Sequence, residues 1–579
     1  MQNFLKGTVV LTIGMAVVKL VGALFKVPLK SVIAEYGMGL FNVAYHFYGP
    51  VHSLATAGLP IAIARLVSAR QSEGGYREIR KIKAVSTPIF FLLGALGTAV
   101  MLFGAPYYCR EVIQNEGAIL PMLVLAPAVL LGCLGSIYRG YFEGLKNMYP
   151  TAVSEIIEAL SKLIVGLSGA AYVSHRLNRA YLRTGQIWGR PMASPDEAAL
   201  TTLSFAAAAA ILGVTVGSLI SFLFLYWRYH SRGDGITPAM LSGAPAPGSG
   251  RSIGHAIVKT AVPVAIGSLA VNLTGLIDTT FLQQRLTNLL QKAPETLITQ
   301  YQNLIPDMYL RQPDTIPNFL FGCYALALTV YMLVPTVTQA ISTSALPNIT
   351  ALWIEGKRDG LQRGVETVLR VTALVSLPMG IGISAISGEI AVVLYGEEPA
   401  TAIVGRLLVG LGFSAALAAL STPISSMLQA VGRADIPVKL LLAAMGIKVG
   451  LNYLLCGIPA LNVYGVTAGT FCCYLFMVLS QLICLRRVTG LRIPVHRLFL
   501  KPMLSALLCG ISAYVMSNCG WFSLTERKEA LAAVLCSMGI AALVYVISLW
   551  ALGAVTREDI QFLPKGQKIL KMLENPKGM

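Results

Sequence analysis

The chain has 579 residues, 55% of them hydrophobic and only 12% charged, with a mean hydropathy of +0.67; water-soluble domains carry about a quarter charged residues. A soluble enzyme is excluded. The formal charge of +18 would suggest nucleic acid in a soluble protein, but in a lipid-embedded chain basic residues gather in cytoplasmic loops, so no nucleic-acid partner is expected.

Taken in chain order, the apolar run from Gly7 to Ile33 follows Lys6 and contains Lys19 and Lys26 without a small-residue cleavage signal. It reads as a retained first spanning helix whose charges must face protein or water. A span needs about 20 mostly apolar residues. Further spans are expected near 40–66, 84–106, 117–140, 151–173, 199–227, 255–281, 319–346, 367–394, 402–429, 438–458, 463–485, 499–518 and 529–553, which makes fourteen. Counted on alternate sides, roughly 25 Lys and Arg fall on the side of both termini and roughly 11 on the other, which places the termini in the cytoplasm. One loop disagrees, because Arg176, Arg179, Arg183 and Arg190 fall on the outer side.

Internal repetition is the most informative feature. Thr56-Ala-Gly-Leu-Pro60 resembles Thr343-Ser-Ala-Leu-Pro347, an offset of 347 − 60 = 287, and Pro150 and Pro437 close two similar turns at 437 − 150 = 287. Gly213-Val-Thr-Val-Gly217 resembles Gly465-Val-Thr-Ala-Gly469 at 465 − 213 = 252, the shortfall being a longer loop between the fifth and sixth helices of the first half. The expected fold is therefore an all-α integral membrane protein of two six-helix lobes in parallel pseudo-twofold repeat, with two added C-terminal helices. Its domains would be an N-lobe at 1–228, a cytoplasmic linker at 229–254, a C-lobe at 255–487, the extra helices at 488–555 and a cytoplasmic tail at 556–579. Halves of this kind transport by alternating access.

Charges inside spans are costly, about 2.5 to 3.5 kcal/mol each on insertion scales, and usually face a cavity or a partner. Lys19 and Lys26 are two turns apart on one helix face. Glu158 and Lys162 have the favourable i,i+4 order for a salt bridge. Asp278, and Lys448 with Asn452, are isolated polar positions in apolar runs, and Asp278 is expected either to pair with Lys448 or to sit at an exposed helix end. The excess of cations favours an anionic substrate, with Lys19, Lys26, Arg65 and Arg139 as candidate phosphate donors, the last three alternatively snorkelling to headgroups. His46 and His52 either titrate and couple protons or are satisfied packing residues. Asn272-Leu-Thr and Asn348-Ile-Thr match glycosylation acceptors by chance, since both adjoin apolar spans. The ten cysteines form no C-x-x-C pair, and there is neither a phosphate-cradling Gly-rich loop nor an H-E-x-x-H. No metal, cofactor or catalytic role is expected. Gly213/Gly217 and Gly465/Gly469 have the spacing of close helix contacts.

Tyr36-Gly-Met-Gly-Leu40, Ala57-Gly-Leu-Pro60, Arg139-Gly-Tyr-Phe-Glu-Gly144 with Met148 and Pro150-Thr-Ala152, and then Glu158, together resemble the polysaccharide biosynthesis and stage V sporulation protein B family. That family belongs to the multidrug/oligosaccharidyl-lipid/polysaccharide exporter superfamily and is related to lipid II flippases. The resemblance extends through the Asp278 helix, Gln429-x2-Gly432-x4-Pro437 and the tail from Arg557. It implies a flippase that carries an undecaprenyl-pyrophosphate-linked oligosaccharide or peptidoglycan precursor across a bacterial cytoplasmic membrane, with Lys19 and Lys26 holding the pyrophosphate. Its partners would be the lipid-linked glycan, membrane lipids and cell-wall synthesis enzymes. Glu143 departs from the family's usual Gln, and the eighth span holds only Gln339 where some flippases place arginine. If Asp278 matches the acidic sodium ligand of some relatives, Lys448 takes the cation's place and no sodium dependence is implied. The alternatives are a multidrug or cation antiporter of the same superfamily, which the lysines count against, and a membrane glycosyl- or phosphotransferase, for which no carboxylate cluster is visible.

Overall fold

A computed structural model describes residues 2–301, 303–519, 521 and 526–553, with most side chains of residues 2–23 excepted; the expected tail at 556–579 lies outside them. In chain order the helices are α1 Gln2–Thr56, α2 Gly58–Ser72, α3 Tyr76–Tyr107, α4 Ile119–Leu125, α5 Pro127–Gly144 and α6 Tyr149–Thr184. A two-stranded hairpin, β1 Gln186–Ile187 with β2 Arg190–Pro191, leads into α7 Pro195–Arg232, α8 Pro238–Ser242 and α9 Gly250–Lys292. Then come α10 Pro294–Gln300, α11 Asp307–Leu310, α12 Ile316–Tyr331, α13 Leu333–Ile354, α14 Arg358–Ala385, α15 Ser387–Tyr395 and α16 Pro399–Ala430. The last are α17 Asp435–Leu455, α18 Gly465–Thr489, α19 Lys501–Ser517 and α20 Arg527–Ala551.

Unbroken, the 55 residues of α1 would reach about 82 Å, far more than a hydrocarbon core of about 30 Å. The helix breaks at Ala34, whose φ of 52° and ψ of −172° are non-helical. A Cβ on Gly14 would lie 3.2 Å from that of Ala152, and one on Gly144 2.6 Å from that of Val67. Gly144 and Ala152 flank the turn between α5 and α6, so residues 14 and 67 lie at the same end and the two arms of α1 run antiparallel. Among the described residues, thirteen helices are long and apolar enough to cross a membrane, the first being Leu24–Ser72. Since the reversal at Ala34 divides that helix, the arms before and after it supply the first two of fourteen passes.

The short loop expected between the first two spans does not exist: helix resumes directly after Ala34. The stretch 285–318, between the spans expected at 255–281 and 319–346, is mostly helical, since α9 runs on to Lys292 and α10 and α11 follow.

The chain forms two compact units, residues 1–292 with 307–325 and residues 293–306 with 326–579. In the first, the α6 and α7 pair is the most extensive helix contact. Its closeness follows from glycine: a Cβ on Gly213 would strike the backbone of Gly166, and one on Gly217 would lie 2.8 Å from the Glu158 carbonyl. The helix α9 packs along α1, α2 and α3. Sequence repetition opens the second half at 255, whereas packing assigns α9 to the first unit, so the two criteria divide the chain at different places.

The linker is strapped to the first unit. Asp234 accepts a hydrogen bond from the Tyr141 hydroxyl at 2.8 Å and pairs with Arg80 at 3.4 Å, while Arg77 donates to the Leu241 carbonyl at 2.7 Å.

In the second unit, α13, α14, α16, α18 and α19 enclose an apolar core that includes Leu369, Ile424, Leu428 and Leu485. A Cβ on Gly469 of α18 would collide with the Asn452 amide of α17.

Candidate functional site

The first unit gathers most of the intramembrane charge. Arg139 projects from α5 toward α6 and α7. Its guanidinium donates to Ser154 Oγ at 3.1 Å, to Glu158 Oε2 at 2.8 Å and to Ser221 Oγ at 3.0 Å. Ser218 donates to the other Glu158 oxygen at 3.1 Å. The planar fork reaches two helices at once, as an ammonium could not, so both carboxylate oxygens are engaged. The i,i+4 bridge expected between Glu158 and Lys162 gives way to this network.

Lys162, one turn further along α6, takes an aromatic setting instead. Its ammonium lies 4.6 Å from the Tyr45 ring centroid, 5.2 Å from Phe25 and 5.8 Å from Phe41, within the range of cation–π attraction. Lys26, on the first arm of α1, lies within electrostatic reach of Lys162, and the two ammoniums repel one another. Among the described residues, no carboxylate comes within ion-pair distance of either. Two half-buried cations within electrostatic reach of one another would be stabilised by a doubly charged anion.

The two histidines are engaged. His46 Nδ1 lies 2.6 Å from Thr279 Oγ1 of α9. His52 Nδ1 lies 2.9 Å from the Tyr48 hydroxyl, with the rings stacked 4.8 Å apart.

Of the other candidates, Arg65 is exposed on α2. Lys19 lies on the first arm of α1, with its side chain outside the described residues. Asp278 is buried in the first unit and accepts from the Tyr324 hydroxyl at 2.9 Å. Lys448 and Asn452 are buried one turn apart on α17 in the second unit.

Two groupings escaped the sequence. Lys30 and Glu35 form a buried ion pair at 3.1 Å across the Ala34 break. At the same end, Asn115 donates to Gln283 at 3.2 Å and to Asn318 at 2.9 Å, and Asn318 donates to the Tyr36 carbonyl at 2.8 Å. The opposite charges of Lys30 and Glu35 on either side of a short connection were a usable signal. The amides, 168 and 203 residues apart, offered none.

Comparison with known proteins agrees with the motifs. The family described as Polysaccharide biosynthesis protein matches residues 4–185, and MatE matches residues 321–454. The lipid II flippase MurJ of Bacillus subtilis (strain 168) is 24% identical over 95% of this chain and 96% of its own length. Stage V sporulation protein B of the same organism is 21% identical over 97% and 98%. A solved lipid II flippase MurJ in an inward closed conformation superposes with a TM-score of 0.62 at 14% identity, over 93% of this chain and 98% of that one. An inward-facing multidrug resistance MATE family transporter of the MOP superfamily gives 0.59 at 13%, over 84% and 99%.

Proposed function

We propose that this chain, by sequence and fold a multi-pass transporter of the multidrug/oligosaccharidyl-lipid/polysaccharide exporter superfamily, is a flippase for lipid-linked saccharides. Its substrate would be a polyprenyl-pyrophosphate-bound oligosaccharide or peptidoglycan precursor, moved across a bacterial cytoplasmic membrane by alternating exposure of one site, with both termini in the cytoplasm. The observation that carries this reading is the Lys162 ammonium held over Phe25, Phe41 and Tyr45 without a carboxylate at ion-pair distance among the described residues, with Lys26 of the first arm within electrostatic reach of it. Mutual repulsion of the ammoniums is relieved when a pyrophosphate enters, while the faces of Phe25, Phe41 and Tyr45 hold the Lys162 ammonium in place.

The similarity to lipid II flippase MurJ over nearly the whole chain supports the same class of substrate. A drug-export reading draws on the MatE match and the MATE fold. A cationic drug would meet repulsion at the lysine pair, which favours the first reading.

The deciding experiment replaces Lys26 and Lys162 with Ala, separately and together, and follows the arrival of lipid-linked precursor in the outer leaflet. Loss of flipping with intact protein levels is the expected result. Unchanged flipping with altered drug efflux would transfer the assignment to the exporter reading.

A further inference from the structure

With its 36 residues, α6 is about 54 Å long and rises well beyond its apolar span of 151–173. Its outer third stands at the end that holds the Ala34 break, opposite the chain's start. There Leu177, Ile187 and Ala198 form a small core, packed by Val173, Tyr181, Met192 and Phe205. One face of the helix is thereby covered by the hairpin and the start of α7.

The opposite face is basic. Tyr172, His175, Arg176, Arg179, Ala180 and Arg183 line a shallow cleft of about 370 Å³, at helical spacings that put all six on one stripe. The nearby carboxylates are engaged elsewhere: Asp196 pairs with Arg311, and Glu197 accepts from the Ala193 amide. Among the described residues, no ion pair forms on Arg176, Arg179 or Arg183. Apolar groups flank the arginines without cover, with Leu182 82%, Tyr172 62% and Trp188 60% exposed. Trp188 also sits at φ 52°, an outlier for a bulky residue, with the Arg176 guanidinium 5.8 Å from its ring. A tip standing free in water would not present Leu, Trp and Tyr in this way. A tip lying against the headgroup layer would, since aromatic and basic residues partition there.

We propose that the outer third of α6 docks anionic phospholipid headgroups of that leaflet, with Arg176, Arg179 and Arg183 binding their phosphates and Trp188 and Leu182 packing against the headgroup layer. A soluble polyanion would need the arginines but not the exposed apolar groups, so the lipid is the source the surface fits. Arg176, Arg179 and Arg183, expected in an outer loop, lie instead on the end of α6, which runs to Thr184, and thereby have a physical role on the wrong side of the charge rule. This inference does not depend on the flippase reading.

The test uses the full chain in phosphatidylcholine nanodiscs, with brominated phosphatidylglycerol or brominated phosphatidylcholine as the quencher. The Trp188 signal is isolated by difference from Trp188→Phe. At about fivefold per arginine near an anionic surface, quenching should favour the anionic lipid by about tenfold or more. The preference should vanish in the triple Arg176→Gln, Arg179→Gln, Arg183→Gln variant and persist in the triple Lys variant. Equal quenching by both lipids, or a preference intact in the triple Gln variant, would overturn the proposal. So would abolition of the preference by inorganic pyrophosphate at equal phosphate concentration, because the site would then take soluble phosphate.

Discussion

Arg139 and Lys162 show how the same charge meets different fates a few residues apart. Arg139 is tied by three hydrogen bonds, while Lys162 rests on aromatic faces. The first arrangement is structural. With side chains 22% and 34% exposed, the Arg139 and Glu158 pair lies between surface and fully buried cases, so Arg139→Ala should cost about 2 kcal/mol, read as a lowered unfolding temperature in detergent. Adding Glu158→Gln should restore part of that loss, since a lone carboxylate is the costly remnant. At Ala34 the backbone, with φ 52° and ψ −172°, occupies a region that glycine alone enters freely, so Ala34→Gly should stabilise by about 1 kcal/mol in the same measurement.

At the scale of the element, α6 and α7 are held by glycine contacts that Gly213-x3-Gly217 announced in the sequence. A side chain at 213 would have to displace the Gly166 backbone, so Gly213→Val should cost about 1 to 3 kcal/mol. The linker strap gives a pH signature. Burial pushes the Asp234 carboxyl up, but hydrogen bonds from the Ile236 amide, Tyr141 and Arg80, with the Arg80 charge, outweigh it and hold it below the usual range. A depressed carboxylate contributes stability above its unfolded value near 4, and that contribution is lost as pH falls through the lower folded value. Thermal unfolding between pH 3 and 7 should therefore show an acid-side decline that Asp234→Asn reduces. Spans were legible because apolar length is a local property. The Lys30 and Glu35 pair was hidden by drawing a loop where helix resumes at once, and the amide cluster by sequence separation. The fate of Glu158 depended on Arg139 arriving from α5, which no local spacing reveals.

For the whole molecule, an even number of passes returns the chain to its starting side. Cys519 is exposed just after α19, at the end of the thirteenth pass. On the proposed orientation, with the termini cytoplasmic, a membrane-impermeant maleimide should label Cys519 on intact cells and fail to do so in Cys519→Ser. Labelling only after lysis would invert the orientation. Native mass spectrometry of gently extracted protein should show a copurified pyrophosphoryl lipid that is depleted in the Lys26→Ala, Lys162→Ala variant.

The turn at Ala34 contains no slack, since helix enters and leaves within a single residue and the Lys30 and Glu35 pair clasps it. Such a joint behaves as a fulcrum. The arm before it, about 48 Å long, is a lever whose far end travels about 4 Å for each 5° of swing while residues beside the pivot scarcely shift. Lys26, two turns from the fulcrum, moves little, whereas the N-terminal end sweeps widely. A swing of this arm would thus leave the cation pair's geometry nearly unchanged while its far end opened or shut.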